Sequence, residues 1–115
     1  MHRRDIVPGI VVVDDHQRTG IVRQKEPRPP AEWLAQLAHA EQVAALPIDV
    51  QWWGILPLTG GYVLCPEPLL TPQRKATYED FLTAVDHGNS AARRSLAKLF
   101  PEFTEKAVGE LDALS

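Results

Sequence analysis

A chain of 115 residues, 44% hydrophobic and 23% charged, has the make-up of one ordinary globular domain, which excludes a disordered chain, except at its ends, and a low-complexity array. Its net charge of -3 has the wrong sign for a general nucleic-acid coat, whose affinity comes from clustered Lys and Arg. The single cysteine, Cys65, excludes an internal disulfide, no apolar run spans a bilayer, and no signal-peptide core follows Met1-His2-Arg3-Arg4-Asp5, so a cytoplasmic protein with no membrane partner is expected.

Pro8-Gly9 introduces Ile10-Val11-Val12-Val13, a β-branched run suited to a strand. Residues 14–20 form a polar turn and Ile21-Val22-Arg23-Gln24 the return strand, giving a first hairpin. A charged, proline-rich linker over 25–30 leads into residues 31–46, rich in Ala, Leu, Glu and Gln, which predict a helix that Pro47 ends. Its apolar side carries Trp33, Leu34, Leu37, Ala38, Ala40, Ala44 and Ala45, with Trp33 expected to anchor it on the sheet. Glu41 falls inside that stripe. A carboxylate there is either buried and tuned, or at a point where the helix turns toward water.

Residues 49–70 organise the rest. Val50, Trp52, Ile55, Leu56 and Leu58 run into Thr59-Gly60-Gly61, and Tyr62, Val63, Leu64 and Cys65 leave it, a second hairpin whose glycines supply the turn. Neighbouring strand residues point to opposite faces, so Trp52 and Trp53 require an apolar layer on each side of the sheet. A Trp hides about 200 Å², worth roughly 5 kcal/mol. Either both rings are internal, or one faces a partner. Pro57, Pro66 and Pro68 fit strand ends or edges, and Gly54 a bulge or a close approach.

Thr71-Pro72 is expected to start a helical turn through Lys75. Thr77 with Asp80 predicts a capping box for a helix carrying Tyr78, Phe81, Leu82 and Val85, stopped by Gly88. Asn89 or Ser90 caps the next, with Ala92, Leu96, Leu99 and Phe100 on one face and Arg93, Arg94 and Lys98 away from it. Pro101 opens a third helix with Phe103, Ala107, Leu111 and Leu114 in line. The class is α+β: a small antiparallel, barrel-like sheet of two hairpins with an inserted helix, then a helical part over 72–115.

Pro-Gly-Ile-Val-Val-Val-Asp-Asp at 8–15, Thr-Gly-Ile-Val at 19–22, Val-Gln-Trp-Trp-Gly at 50–54 and Tyr-Val-Leu at 62–64 resemble the strands of small Src-homology-3-like barrels, over about half the chain. The inserted helix and the helical tail depart from that pattern. The resemblance implies a binding platform, without a chemistry or functional residues.

Asp14, Asp15 and His16 could offer ligands to a divalent metal, but adjacent residues need distant helpers and no spaced His or Cys motif supplies them; a solvated hairpin tip is the favoured account of them. No nucleophile elbow, phosphate loop or dinucleotide fingerprint occurs, so no cofactor is expected. Arg93, Arg94 and Lys98 make a basic patch that is either a solvated helix face or a contact for phosphate or an acidic partner. The reading is a non-catalytic interaction or accessory module that binds a protein partner, or itself, through Trp52, Trp53, Tyr62 and Trp33. One alternative is a metal-dependent small-molecule or hydrolytic protein using the Asp14-Asp15-His16 turn, and another a nucleic-acid-binding regulator using Arg93, Arg94 and Lys98.

Overall fold

The computed structural model describes residues 6–37 and 40–114. Five strands form one antiparallel sheet: β1 (Ile10–Val13), β2 (Thr19–Glu26), β3 (Trp52–Pro57), β4 (Val63–Pro66) and β5 (Thr71–Lys75), in the spatial order β4-β3-β2-β1-β5. The sheet stays open, with β4 and β5 as its two edges. Short helices α1 (Ala31–Leu34) and α2 (Ala40–Ala44) lie between β2 and β3, a 3-10 turn (Glu67–Leu69) precedes β5, and α3 (Tyr78–His87), α4 (Ser90–Leu99) and α5 (Pro101–Leu114) complete the α+β fold. No helix among the described residues is long and apolar enough to cross a membrane.

Every residue of β3 is buried, and its two tryptophans part as strand geometry requires. Trp53 packs with Ile6, Val12, Val22, Ile55, Cys65 and Leu70 on one face. Trp52 packs on the other with Leu34 of α1 and Val43 of α2. Further along that second face, Val11, Ile21 and Leu56 lie under Phe81, Ala84, Ala92 and Leu96 of α3 and α4. Both indoles are therefore internal, 1% and 3% exposed.

Three expectations are corrected. The helix over 31–46 is instead α1 and α2; positions 38 and 39 lie outside the described residues. Leu34 and Val43 are nine residues apart, and at 100° per residue an unbroken helix would set them on opposite sides. Both pack on Trp52, so the chain must break to bring them together. Backbone bonds from Gln36 to Trp33 and from Leu37 to Leu34 tighten the end of α1 in 3-10 fashion. Trp33 is not the anchor: it is 40% exposed, and Leu34 beside it takes that place.

The third correction is residues 71–75, a strand where a helical turn was expected. Val11 and Val12 of β1 have no solvent exposure, so the backbone of β1 needs partners on both edges. β5 supplies the second, with Pro72 tolerated because this is the sheet's edge and the register slips between Val11 and Val12.

The helical part follows its sequence signals. Thr77 and Asp80 form the reciprocal capping box of α3, and the Asn89 side chain caps α4 by accepting from the amide of Ala92. Phe81, Phe100 and Phe103 interlock, with ring centroids 5.3 to 5.9 Å apart, and so pin α5 to α3 and α4. Gly60 in the β3–β4 turn has φ +102°, and a Cβ there would lie 2.6 Å from the carbonyl oxygen of His87, so the turn seats against the end of α3.

Candidate functional site

The second sheet face has two separate covers: α1 and α2 over Trp52, and α3 with α4 over Ile21 and Leu56. Between them lies Gly54, which has no side chain, and Tyr62 reaches across it from the hairpin. A Cβ built on Gly54 would overlap the Tyr62 hydroxyl and lie 3.1 Å from Glu26 Oε2. Gly54 was expected to mark a bulge or a close approach. It marks the close approach, while the bulge sits across from it on β2.

That bulge shapes the site. Val22 pairs with Ile55 and Gln24 with Gly54, leaving Arg23 as the extra residue. An extra residue resets the alternation, so Arg23 and Gln24 emerge side by side in place of pointing to opposite faces. The Tyr62 hydroxyl donates to the Glu26 carboxylate, Arg23 Nη1 donates to Tyr62 Oη at 3.3 Å, and Gln24 Nε2 donates to Glu26 at 3.0 Å. The Arg23 guanidinium lies 5.4 Å from the Tyr62 ring centroid and 3.9 Å from Glu26. The hydrogen bond from Tyr62 holds the Glu26 carboxyl below its ordinary range against a smaller opposing push from burial, with Gln24 and Arg23 helping. Burial, then the bond to Glu26, raises the Tyr62 phenol.

Tyr62 divides a cleft into two grooves. One, of about 490 Å³, is lined by Arg23, Gln24, Leu56 and Tyr62 from the sheet side and by Asn89, Arg94, Ser95 and Lys98 around α4. The other, of about 580 Å³, is lined by His16, Arg18, Trp33, Gln36, Leu37, Tyr62, Val63 and Leu64. Tyr62 is 43% exposed, so its ring is offered to both sides.

The residues singled out from sequence are thus redistributed. Trp33 and Tyr62 share a groove, whereas Trp52 and Trp53 have no surface to present to a partner. Trp53 instead donates its indole N–H to Glu67 Oε1 at 2.9 Å. Arg94 and Lys98, one turn apart, line the first groove, and neither has an acidic partner among the described residues. Arg93 points elsewhere and donates from Nε to the carbonyl of Val85 at 3.0 Å, at the C-terminal end of α3. Glu41 is exposed at the start of α2, the outcome in which it reaches water.

Asp14 is a buried carboxylate that closes the first hairpin: it accepts from the amides of His16 (2.8 Å) and Arg18 (2.9 Å) and from Arg18 Nε (2.7 Å). Its lone pairs serve the turn. Asp15 and His16 approach each other to 3.7 Å, and among the described residues no three His, Cys, Asp or Glu gather closely enough to hold a metal ion. Cys65 is buried, and burial, reinforced by Asp15 and Asp14, pushes its thiol up to about 12, which makes it a packing residue and a poor nucleophile.

Arg23, Gln24, Asn89 and Ser95 were not anticipated as site residues. Strand alternation separates the first two, and only the bulge reunites them; Asn89 was read solely as a cap. Gly54→Ala follows as a probe of the cleft. The group it strikes is the hydroxyl end of a side chain that is 43% exposed and can swing outward, so the variant is expected to stay folded, with a stability change of about 1 kcal/mol. It expels Tyr62 from between the grooves. Spectroscopic titration checks this: the Tyr62 phenol should fall back toward 10.0 once its burial and its bond to Glu26 are lost. No protein-family model matches the chain, and no curated protein and no solved structure matches it, so the geometry of the cleft is the ground for a functional reading.

Proposed function

We propose that the chain is a non-catalytic binding module and that a segment of a partner protein occupies the cleft divided by Tyr62. The observation that carries this reading is the placement of one half-exposed tyrosine in the walls of two adjoining grooves, with Trp33 in the second. Tyr and Trp in a concave setting are the side chains that dominate protein contacts. The polar groups around Tyr62 satisfy one another, Arg23, Gln24 and Glu26 all converging on it or on its partner. Such a network stiffens a surface; a reactive centre would pair a nucleophile with a base. A single buried thiol also suits a cytoplasmic setting.

Selection from a random peptide display library, wild type against Tyr62→Ala and Trp33→Ala, tests the reading. Selected peptides are expected to lose binding by about 30-fold or more on Tyr62→Ala, the effect of an aromatic hot spot, while the thermal midpoint moves little. A library that yields no binder, or binders indifferent to both substitutions, contradicts it. Light scattering of the protein alone separates the case in which the partner is a second copy: a dimer that Tyr62→Ala dissociates.

A further inference from the structure

Resting on the reading that the cleft takes a partner segment, we propose that this segment is acidic. It lays carboxylates along Arg94 and Lys98 of α4 and toward Arg23 of β2, and it sets an apolar side chain against Trp33 and Leu37 on the far side of Tyr62. The ground is charge complementarity. The chain has 15 acidic residues against 12 Lys and Arg, yet the charged side chains lining the first groove are Arg23, Arg94 and Lys98, and the one lining the second is Arg18. Among the described residues neither groove is lined by a carboxylate. An excess of one sign in a concavity, against the sign of the whole molecule, concentrates ligands of the opposite charge there.

The cations differ in availability. Arg18 is held by Asp14 at 2.7 Å, and Arg23 has Glu26 at 3.9 Å. Arg94 and Lys98 have no such partner among the described residues and project from the same side of α4, spaced to meet two acidic groups of a short extended segment. Across Tyr62 the character changes: Trp33, Leu37, Val63 and Leu64 offer apolar surface. A segment with carboxylates at one end and an apolar residue at the other matches both halves. A long polyanion matches less well, because beyond three cations it would meet a molecule whose net charge is -3.

Glu26 gives the proposal a test with a gain. Its carboxylate lies beside Arg23 and competes with an incoming acid, so Glu26→Gln removes the competing charge while an amide oxygen can still accept from Tyr62.

The experiment uses fluorescein-labelled synthetic peptides carrying glutamates beside a Leu-Trp pair, the same peptide with glutamines, and a single-stranded oligonucleotide of similar length, each titrated by fluorescence anisotropy into the full chain. The acidic peptide is expected to bind about tenfold more tightly than the glutamine peptide, as two exposed charge pairs would provide. Arg94→Ala with Lys98→Ala abolishes that difference, Glu26→Gln tightens acidic-peptide binding about threefold, and added salt weakens it. Circular dichroism verifies that these variants, at exposed Arg94 and Lys98 and at half-buried Glu26, remain folded. The proposal is overturned if the two peptides bind equally, if neither binds, or if the Arg94 and Lys98 substitutions leave the preference intact. Tighter binding of the oligonucleotide with the same residue dependence also overturns it and assigns the cleft to nucleic acid. Library binders that depend on Tyr62 but show no acidic bias would keep the binding-module reading and remove this one alone.

Discussion

Trp53→Ala and Trp52→Ala are each expected to destabilise the fold by about 3–5 kcal/mol, the range for truncating a buried aromatic. The two rings fill different cores, Trp53 among Val12, Val22 and Ile55, and Trp52 under Leu34 and Val43. Losing one cannot be relieved by the other. The double variant forfeits about 6–10 kcal/mol, comparable to the whole stability of a domain of this size, and is expected to be unfolded. Phenylalanine substitutions sharpen the contrast. Trp53→Phe leaves Glu67 without its indole donor, whereas the Trp52 indole nitrogen is buried with no partner among the described residues. Trp53→Phe should therefore cost about 1 kcal/mol more than Trp52→Phe. Urea unfolding of the four single variants checks the order, and Trp33→Ala, at an exposed site, serves as the mild control.

The second large effect is expected at Asp80. Its carboxylate is buried and joins β5 to α3: it accepts from the amide of Thr77 at 2.9 Å, from the Thr77 hydroxyl at 3.1 Å and from Arg74 Nη2 at 2.7 Å. Asp80→Ala removes the carboxylate half of the capping box and the charged bond to Arg74, a loss of about 2–3 kcal/mol. Burial pushes the Asp80 carboxyl up, but the bonds from Thr77 and Arg74 outweigh it and hold it below 3.8; Asp14 is held down the same way by Arg18 and His16 against its own burial. A carboxyl whose folded pKa is depressed stabilises the fold above its unfolded pKa, and that stabilisation drains away as pH falls through the folded value. Stability should thus be level near neutrality and fall below about pH 4. In Asp80→Asn the acid-side slope should be shallower, and urea midpoints at pH 3 and pH 6 measure both.

The sheet was legible in the sequence wherever local pattern and tertiary demand agreed. The β-branched run at Ile10, the turn at Gly60-Gly61 and the adjacent tryptophans led to two hairpins and a two-sided sheet, and the Thr77 and Asn89 caps placed two helices. Where tertiary demand prevailed, local pattern misled. Good helix formers over 31–46 could not form one helix because Leu34 and Val43 must meet on Trp52, and the polar segment at Thr71 became a strand because β1 required a second neighbour. The cleft was half legible. Tyr62, Trp33, Arg94 and Lys98 could be named, but their grouping depends on the bulge at Arg23, on the bare backbone of Gly54 and on the displacement of Trp33 from the core, none of which leaves a periodic trace. The tryptophans that dominate the sequence specify the fold, and the surface they organise belongs to other residues.

Acrylamide quenching of tryptophan fluorescence, with and without the glutamate-containing peptide, here with phenylalanine in place of its own tryptophan, tests that division most directly. Of three indoles, Trp33 is 40% exposed while Trp52 and Trp53 are buried. A single quenchable fraction is predicted, lost in Trp33→Phe and protected when the peptide binds. Quenching that survives Trp33→Phe would place Trp52 or Trp53 at the surface, and a Trp33 signal that the bound peptide leaves unprotected would show that the cleft beside Tyr62 is not where the partner sits.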